Sequence, residues 1–321
     1  MTTRLDEALA VLNGAVGDML ARTGNGLQLE MGLVRHGQPL AIEREALARA
    51  HPEATSRVVV LVHGLMCTES IWTLPDASDY GSLLARDLGY TPLYVRYNSG
   101  RAIADNGALL SRLLATLHEQ YPLPLEEIVL LGYSMGGLVI RSACHAGWLA
   151  GEPWLARVRR AIYVGTPHRG APLERAGRFV ARLLRMVNDP YARLVADIAD
   201  LRSDGMKDLG NADIRHEDRR RRGGSSEAGW GLADPRHPVP LLPDIQHFLV
   251  AGSVSRDPLV SRLFGDALVP ISSATDGGWT NAASRAMPPA HVRFRPGLGH
   301  LVLAHHPAVY EDIRDFLVES G

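Results

Sequence analysis

The chain has 321 residues, of which 46% are hydrophobic and 21% are charged, and its formal net charge is -1. This composition is typical of a globular protein that buries a sizeable core, and it argues against a disordered chain. Because acidic and basic residues are nearly equal in number, we expect no nucleic-acid partner.

The first predicted element is an amphipathic helix over residues 4 to 22. Apolar residues recur there at helical spacing: Leu5, Leu9, Leu12, Val16, Met19 and Leu20. We expect this apolar stripe to dock on the body of the protein, although peripheral membrane contact stays open. Acidic residues interrupt the segment, so we do not interpret it as a secretory signal. No apolar run reaches about eighteen residues, so we expect a cytoplasmic protein without a transmembrane segment.

From residue 57 the sequence changes to short apolar runs that alternate with helical patterns. The predicted strands are RVVVLVHG, TPLYVRYN, EEIVLLGY and RRAIYVGTP, separated by helices near residues 82 to 88, 103 to 119 and 135 to 148. Such runs are typical of parallel strands that are buried on both faces. Crossover connections between parallel strands are right-handed, so helices should cover both faces of the sheet. We predict a doubly wound α/β fold with a mostly parallel sheet.

The alternation stops at residue 171 and resumes at the strand QHFLVAGS. Residues 171 to 244 hold an amphipathic segment and then a polar stretch rich in Gly, Arg and Pro, which we interpret as a cap or lid inserted above the sheet. The strand HVRFRP and a helix from Pro307 to Val318 complete the chain. Residues 51 to 170 and 245 to 321 are the predicted core, and residues 1 to 50 are the N-terminal helix and its lead-in.

The strongest chemical signal is the segment Gly132-Tyr133-Ser134-Met135-Gly136. It lies where a predicted strand gives way to a helix, which is the context in which Gly-x-Ser-x-Gly marks a nucleophile on a sharp, strained turn. We predict that Ser134 projects beyond the carboxyl edge of the sheet, where open α/β proteins bind ligands, and acts as the nucleophile. The alternative is a glycine-flanked serine that merely ends a strand.

Two backbone N–H groups are predicted to form an oxyanion hole. The N–H of Met135 opens the helix after the serine, where helical N–H groups have no acceptor within the helix. The N–H of Leu65 follows His63 and Gly64, and the glycine allows the backbone to approach closely. His63 ends a core strand, so we expect it to pack and hydrogen-bond locally instead of acting as the base.

A serine hydroxyl becomes a good nucleophile only when a neighbouring imidazole can take its proton. The loop Gly297-Leu298-Gly299-His300 follows the last predicted strand, so His300 is the predicted base. His305 and His306 are rivals, but they adjoin Pro307 and should begin or cap the last helix.

The base needs a carboxylate to orient it, and the chain offers Asp257 and Asp266 after the strand QHFLVAGS. We choose Asp266, which lies in a glycine-led turn followed by an apolar run; the alternative for either residue is a solvated turn. No His or Asp spacing matches a metal-ligand pattern, so no metal or cofactor is expected. Cys67 and Cys144 are expected to be reduced structural thiols.

Several segments occur in a familiar order: HGLMCTES, GYSMGGLVIR, YVGTPHRGAPLE, GDALVPISSA and GHLVLAHHPAVYEDI. Together they resemble the bacterial lipase and GPI inositol-deacylase-like branch of the α/β-hydrolases, over residues 57 to 175 and 245 to 320. The resemblance implies an α/β-hydrolase fold whose sixth strand leads into a cap that helps admit acyl chains. Calcium-dependent secreted lipases of this kind carry a signal peptide and usually a disulfide. Neither is evident here, so extracellular fat digestion is not expected.

The predicted function is hydrolysis of a small-molecule or lipid carboxylic ester through an acyl-enzyme on Ser134. Two alternatives stay open. The acyl group can pass to an acceptor other than water, as in an acyltransferase or a thioesterase, and product analysis with added alcohols and thiols separates these. The chain can also be a hydrolase-like scaffold that binds a lipid or a partner without turnover, which a fluorophosphonate probe that fails to label Ser134 would favour.

Overall fold

The structure of the protein is a computed structural model that describes residues 3–170, 203–221, 239, 241–255 and 288–318. Its helices in chain order are α1 (Arg4–Thr23), α2 (Arg44–Ala50), α3 (Tyr80–Leu88), α4 (Ile103–Gln120), α5 (Met135–Ala150), α6 (Asp204–Asn211), α7 (His216–Arg221), α8 (His300–Leu303) and α9 (Pro307–Val318). Its strands are β1 (Gly32–Arg35), β2 (Gln38–Leu40), β3 (Arg57–Val62), β4 (Thr91–Arg96), β5 (Glu127–Tyr133), β6 (Val158–Val164), β7 (Gln246–Ser253) and β8 (Val292–Pro296). Strand and helix alternate from β3 to β6, as the hydrophobic pattern predicts.

The described strands form one sheet in the order β2-β1-β4-β3-β5-β6-β7-β8. Every neighbouring pair from β4 to β8 in this order is parallel, whereas β1 pairs antiparallel with both β2 and β4. All of β5 and nearly all of β3 are buried, which explains why these strands have continuous apolar runs. The predicted doubly wound, mostly parallel α/β fold is confirmed.

The two faces of the sheet carry separate hydrophobic cores, because successive side chains of a strand point to opposite faces. Val58, Val60 and Val62 of β3 pack with residues of α4 and α5. Val59 and Leu61 of the same strand pack on the other face with residues of α3 and α9. Helices therefore cover both faces of the sheet, and this arrangement holds the carboxyl ends of the central strands at one edge.

The hairpin of β1 and β2 lies in the residues that the sequence suggests are only a lead-in to the core. Its turn is formed by His36 and Gly37, whose φ angles of 50° and 82° are both positive. Positive φ at both central residues is the geometry of a tight two-residue hairpin. The strands have four and three residues, too few to show an alternating pattern, so the sequence does not predict them.

Helix α1 is confirmed, and the predicted apolar stripe docks only in part: Val16 packs against the core, and Leu9 and Leu12 are half-buried. Of the predicted apolar stripe, Leu20 is buried, whereas Leu5 and Met19 are 68% and 44% exposed. The residues that α1 buries are mostly small or polar: Ala10, Val11, Asn13, Gly14, Ala15, Gly17 and Leu20. Small residues let a helix backbone come very close to its neighbour. The van der Waals contacts of this close approach hold the helix although part of the apolar area of its large side chains stays exposed.

Part of the predicted cap, residues 203 to 221, lies among the described residues and is docked on the core. The Ile103 N–H, at the start of α4, donates to Asp208 Oδ2 of α6 at 2.9 Å. The Ser203 hydroxyl donates to the Gly14 carbonyl of α1 at 2.6 Å. These hydrogen bonds join α6 to both helices. Residues 171 to 202, 222 to 238 and 240 of the predicted cap lie outside the described residues.

Candidate active site

The junction between β5 and α5 is a sharp turn at Ser134, whose φ and ψ are 53° and -121°. A positive φ is rare for a residue with a side chain and persists only where the surroundings hold it. The Ser134 N–H donates to the Val164 carbonyl of β6 at 2.9 Å, which ties the turn to the sheet. A Cβ on Gly136 would lie 2.2 Å from the Val62 carbonyl oxygen. A Cβ on Gly132 would lie 2.7 Å from the backbone of α5, so both flanking positions need glycine.

The imidazole of His300 lies beside the hydroxyl of Ser134, with 2.9 Å between Nε2 and Oγ, although the residues are 166 positions apart in the chain. His300 is the first residue of the short helix α8, directly after the loop that follows β8. The Tyr133 hydroxyl donates to the His300 carbonyl at 3.1 Å, which fixes the position of that helix start. Ser134 and His300 are only 1% and 3% exposed. The pair is therefore held in a site with little access of bulk water.

Gly165, directly after β6, is a third residue that shapes the site around Ser134 and His300. In the sequence it stands out only as part of the segment that suggests the family branch. Its φ is 60°, a conformation that favours glycine. A Cβ at this position would lie 3.2 Å from Cε1 and 3.3 Å from Nδ1 of His300. Glycine therefore leaves the room that the imidazole occupies. The Gly-Thr-Pro segment after a buried strand is the local signal that points to this role.

In the described part of the chain, neither rival histidine hydrogen-bonds to the serine hydroxyl. His306 Nδ1 accepts a hydrogen bond from the Ala308 N–H at 3.2 Å, so this side chain caps α9 as predicted. The Tyr80 hydroxyl donates to the His306 carbonyl at 2.9 Å, which anchors the same segment to α3. The His305 N–H donates to the Val302 carbonyl at 3.2 Å, and burial lowers the pKa of the His305 imidazole.

His63 packs and hydrogen-bonds locally, as expected. Its Nδ1 lies 2.8 Å from the Gly64 carbonyl, which accepts from it, and its ring stacks on Tyr97 with 4.4 Å between centroids. Burial lowers the pKa of His63 to about 4, so this imidazole is neutral at physiological pH. The hydrogen bond to Gly64 and the stacking on Tyr97 are contacts of a packed core side chain.

The backbone of residues 63 to 65 runs against the serine. A Cβ on Gly64 would lie 3.1 Å from the Cβ of Ser134, so the glycine permits this approach. Leu65 and Met135 are buried, and in the part of the chain that the structure describes neither N–H donates to an acceptor. Their assignment as the donors of an oxyanion hole stays a prediction.

Both acid candidates, Asp266 and Asp257, lie outside the described residues, so their positions relative to His300 stay predictions. Strand β7, which precedes them, ends at Ser253, and that residue is fully buried. The chain therefore enters the acid-bearing segment from the carboxyl edge of the sheet, the same edge at which β5 meets Ser134.

The two cysteines, Cys67 and Cys144, are buried and form no disulfide. Burial raises the pKa of each thiol to about 12, so both are protonated near neutral pH and neither is prepared as a nucleophile. Among the described residues, no three His, Cys, Asp or Glu side chains are grouped to hold a metal ion. No helix in this part of the chain is long and apolar enough to cross a membrane.

Comparison with known proteins gives one family match and several similar folds. The model of the Alpha/beta hydrolase family matches residues 59 to 313. No curated protein matches the sequence. The mature form of a lipase from Bacillus licheniformis has a TM-score of 0.51 at 19% identity, over 81% of this chain and 91% of that chain. The propeptide form of that lipase has a TM-score of 0.50 at 20% identity, over 83% of this chain and 50% of that chain. At these identities the similarity shows a shared fold.

Proposed function

Because the chain belongs to the alpha/beta hydrolase family, we propose that it is a serine hydrolase that cleaves carboxylic esters. The observation that carries this proposal is the 2.9 Å contact between His300 Nε2 and Ser134 Oγ at the sharp turn after β5. An imidazole at that distance can take the proton of the hydroxyl, which turns a weak nucleophile into a strong one. Burial of both groups strengthens their interaction, because little water competes for it.

The proposed reaction is acyl transfer to the serine and then to water. Ser134 Oγ attacks the ester carbonyl while His300 Nε2 takes its proton. The carbonyl oxygen becomes an oxyanion, and the N–H groups of Leu65 and Met135 donate to it. When the tetrahedral intermediate collapses, the alcohol leaves with the proton from His300. His300 then deprotonates a water molecule, whose oxygen attacks the acyl-enzyme and releases the carboxylic acid and Ser134.

The free energy of the oxyanion depends on donors that are already in place before it forms. Residues 63 to 68, here called the oxyanion loop, supply the Leu65 donor. Gly64 allows the loop to reach Ser134, since a Cβ there would come within 3.1 Å of the serine Cβ. The Met135 donor is the first N–H of α5, at its positive dipole end. Both donors thus support the assignment of the oxyanion hole.

We assign Asp266 as the carboxylate that orients His300 and stabilises its protonated form. Asp266→Asn should lower kcat by about 10³- to 10⁴-fold, because an amide cannot hold the imidazole in the correct tautomer. Asp257→Asn is the matched control and should stay within about threefold of the wild type. Steady-state kinetics on a p-nitrophenyl ester compare the two. A large loss in Asp257→Asn with an active Asp266→Asn would transfer the role.

Within the family we propose the lipase and GPI inositol-deacylase-like branch, with a small-molecule or lipid ester as substrate and residues 171 to 244 as the cap. The segment that suggests this branch runs from Gly165 to Gly170. Its first residue adjoins the His300 imidazole, and its last has a φ of 87°. A Cβ on Gly170 would lie 2.3 Å from the Gly210 carbonyl of α6, so the segment reaches from the proposed base to the described part of the cap.

The direct test is ester hydrolysis by the purified chain with p-nitrophenyl esters of graded acyl length. An acyl-enzyme predicts an initial burst of nitrophenol close to one equivalent per chain when deacylation is slower than acylation. A fluorophosphonate probe should label Ser134, which peptide mass spectrometry identifies. Turnover without any labelling of Ser134, or labelling of a different residue, would contradict the proposal. So would an absence of both turnover and labelling.

A further inference from the structure

The residue that follows the proposed donor Leu65 has an unusual backbone conformation. Met66 has a φ of 59°, in the left-handed region, although it carries a long side chain. Such a conformation persists only when neighbouring groups hold it. One of those neighbours is Ser99, whose hydroxyl accepts the Met66 N–H at 2.9 Å. This hydrogen bond fixes the peptide plane that directly follows Leu65.

Helix α1 closes the other side of Met66. A Cβ on Gly14 would lie 2.2 Å from Met66 Cγ and 3.1 Å from both Met66 N and Met66 Cα. The helix backbone is thus in contact with the oxyanion loop itself, and nothing larger than glycine fits between them. One turn further along α1, the Gly17 carbonyl accepts from Asn98 Nδ2 at 2.8 Å, so the helix is also attached to the segment that carries Ser99.

A second contact joins α1 to the far end of the same loop. Arg96, at the end of β4, donates from Nη1 to Asp6 Oδ1 at 2.8 Å and from Nε to Glu69 Oε2 at 2.9 Å. Asp6 lies in the first turn of α1, and Glu69 directly follows Thr68, the last residue of the oxyanion loop. Burial opposes ionisation of Asp6, but hydrogen bonds from Thr3 and the charge of Arg96 outweigh it and lower its pKa. Both partners of the Asp6–Arg96 ion pair are therefore charged at neutral pH.

From these contacts we infer that α1 holds the oxyanion loop in its working conformation and that Gly14, Met66 and Ser99 are positioning residues for the Leu65 donor. The inference rests on the proposed function. The oxyanion exists only in the transition state and the intermediate, so a displaced Leu65 N–H weakens these states more than it weakens bound substrate. Damage to the α1 contact should therefore lower kcat and leave KM almost unchanged.

The central test is Gly14→Ala, which places a methyl group against Met66. Loss of a whole oxyanion donor costs about 10²- to 10³-fold, so a displaced donor should lower kcat by about 10- to 100-fold, with KM within about threefold. The double variant Gly14→Ala with Met66→Ala removes Met66 Cγ, the closest of the three atoms that the methyl group would meet, and should recover most of the lost kcat relative to Met66→Ala alone. Gly17→Ala is the matched control, because it crowds Asn98 instead and should not be rescued by Met66→Ala.

Amide hydrogen exchange of a peptide that spans residues 64 to 68 provides a readout without turnover. Exchange there should be faster in Gly14→Ala and return toward the wild-type rate in the double variant. Asp6→Asn weakens the ion pair with Arg96, and Ser99→Ala removes the acceptor of the Met66 N–H, both without crowding. These two variants test the inference if Gly14→Ala does not fold. An active wild type whose kcat and exchange are unchanged in these variants would overturn the inference. If the wild type shows neither ester turnover nor labelling of Ser134, the proposed function fails, and hydrogen exchange alone still tests the α1 contact.

Discussion

Replacing Ser134 with alanine is expected to remove ester turnover while the fold stays intact. Ser134 Oγ is the atom that forms the covalent bond to the acyl group in the proposed reaction, and it lies 2.9 Å from His300 Nε2. Loss of the nucleophile in a serine hydrolase typically lowers kcat by about 10⁴- to 10⁶-fold, and the residual rate comes from the oxyanion donors and binding. The measurement is kcat on a p-nitrophenyl ester.

The variant removes one buried oxygen and keeps the Cβ, so the strained turn is as accessible to alanine as to serine. The thermal midpoint of unfolding should therefore change by only a few degrees, as for a modest change in stability. Ser142→Ala is the matched control on the same helix. It removes a buried hydroxyl that donates to the Ile214 carbonyl at 2.8 Å, and it should keep turnover at a stability cost of about 1 kcal/mol. Turnover of Ser134→Ala above about a tenth of the wild-type rate would exclude Ser134 as nucleophile.

Replacing His300 with alanine is the change with the second largest expected effect. Without the imidazole, the Ser134 hydroxyl keeps its proton during attack, and no group returns a proton to the leaving alcohol. The expected loss in kcat is about 10⁴- to 10⁶-fold, because the serine and its base act as a unit. The fluorophosphonate probe should also label Ser134 far more slowly, since labelling needs the same proton transfer. Labelling rates and steady-state kinetics check both statements.

His305→Ala is the matched control for the base. His305 lies five residues along the chain from His300, after α8, and makes no hydrogen bond to Ser134 in the described part of the chain. Its removal should leave kcat within about threefold of the wild type. An inactive His305→Ala together with an active His300→Ala would move the role of base to residue 305 and would contradict the reading of the 2.9 Å contact as catalytic.

Much of the fold can be predicted from local patterns in the sequence. The runs that become β3, β5, β6 and β7 are largely apolar because both faces of the sheet are covered there, and this signal needs no knowledge of their neighbours. Ser134 is recognisable because a strand, two glycines and a helix meet within a few residues. His300 is recognisable from chain order, since it lies in the loop between the last strand and the last long helix.

Other features depend on partners that lie far away in the chain. The stripe of large apolar residues on α1 predicts the docking face only in part, because Gly14 and Gly17 fit against Met66 and Asn98 while Leu5 is left 68% exposed. The sequence of α1 does not show that Met66 and Asn98 pack against its glycines. The hairpin of β1 and β2 is missed for a similar reason, since its short strands gain their stability from pairing with β4.

By itself, the sequence determined the type and order of the core elements and the sharp turn at Ser134. The spacing of apolar residues and the closely spaced glycines shape the backbone within a few residues, so these features can be read locally. Only the tertiary structure decided that His300 Nε2 comes within 2.9 Å of Ser134 Oγ and that α1 contacts the oxyanion loop at Met66. These contacts join residues distant along the chain, and their approach depends on how helices and strands pack across the whole sheet.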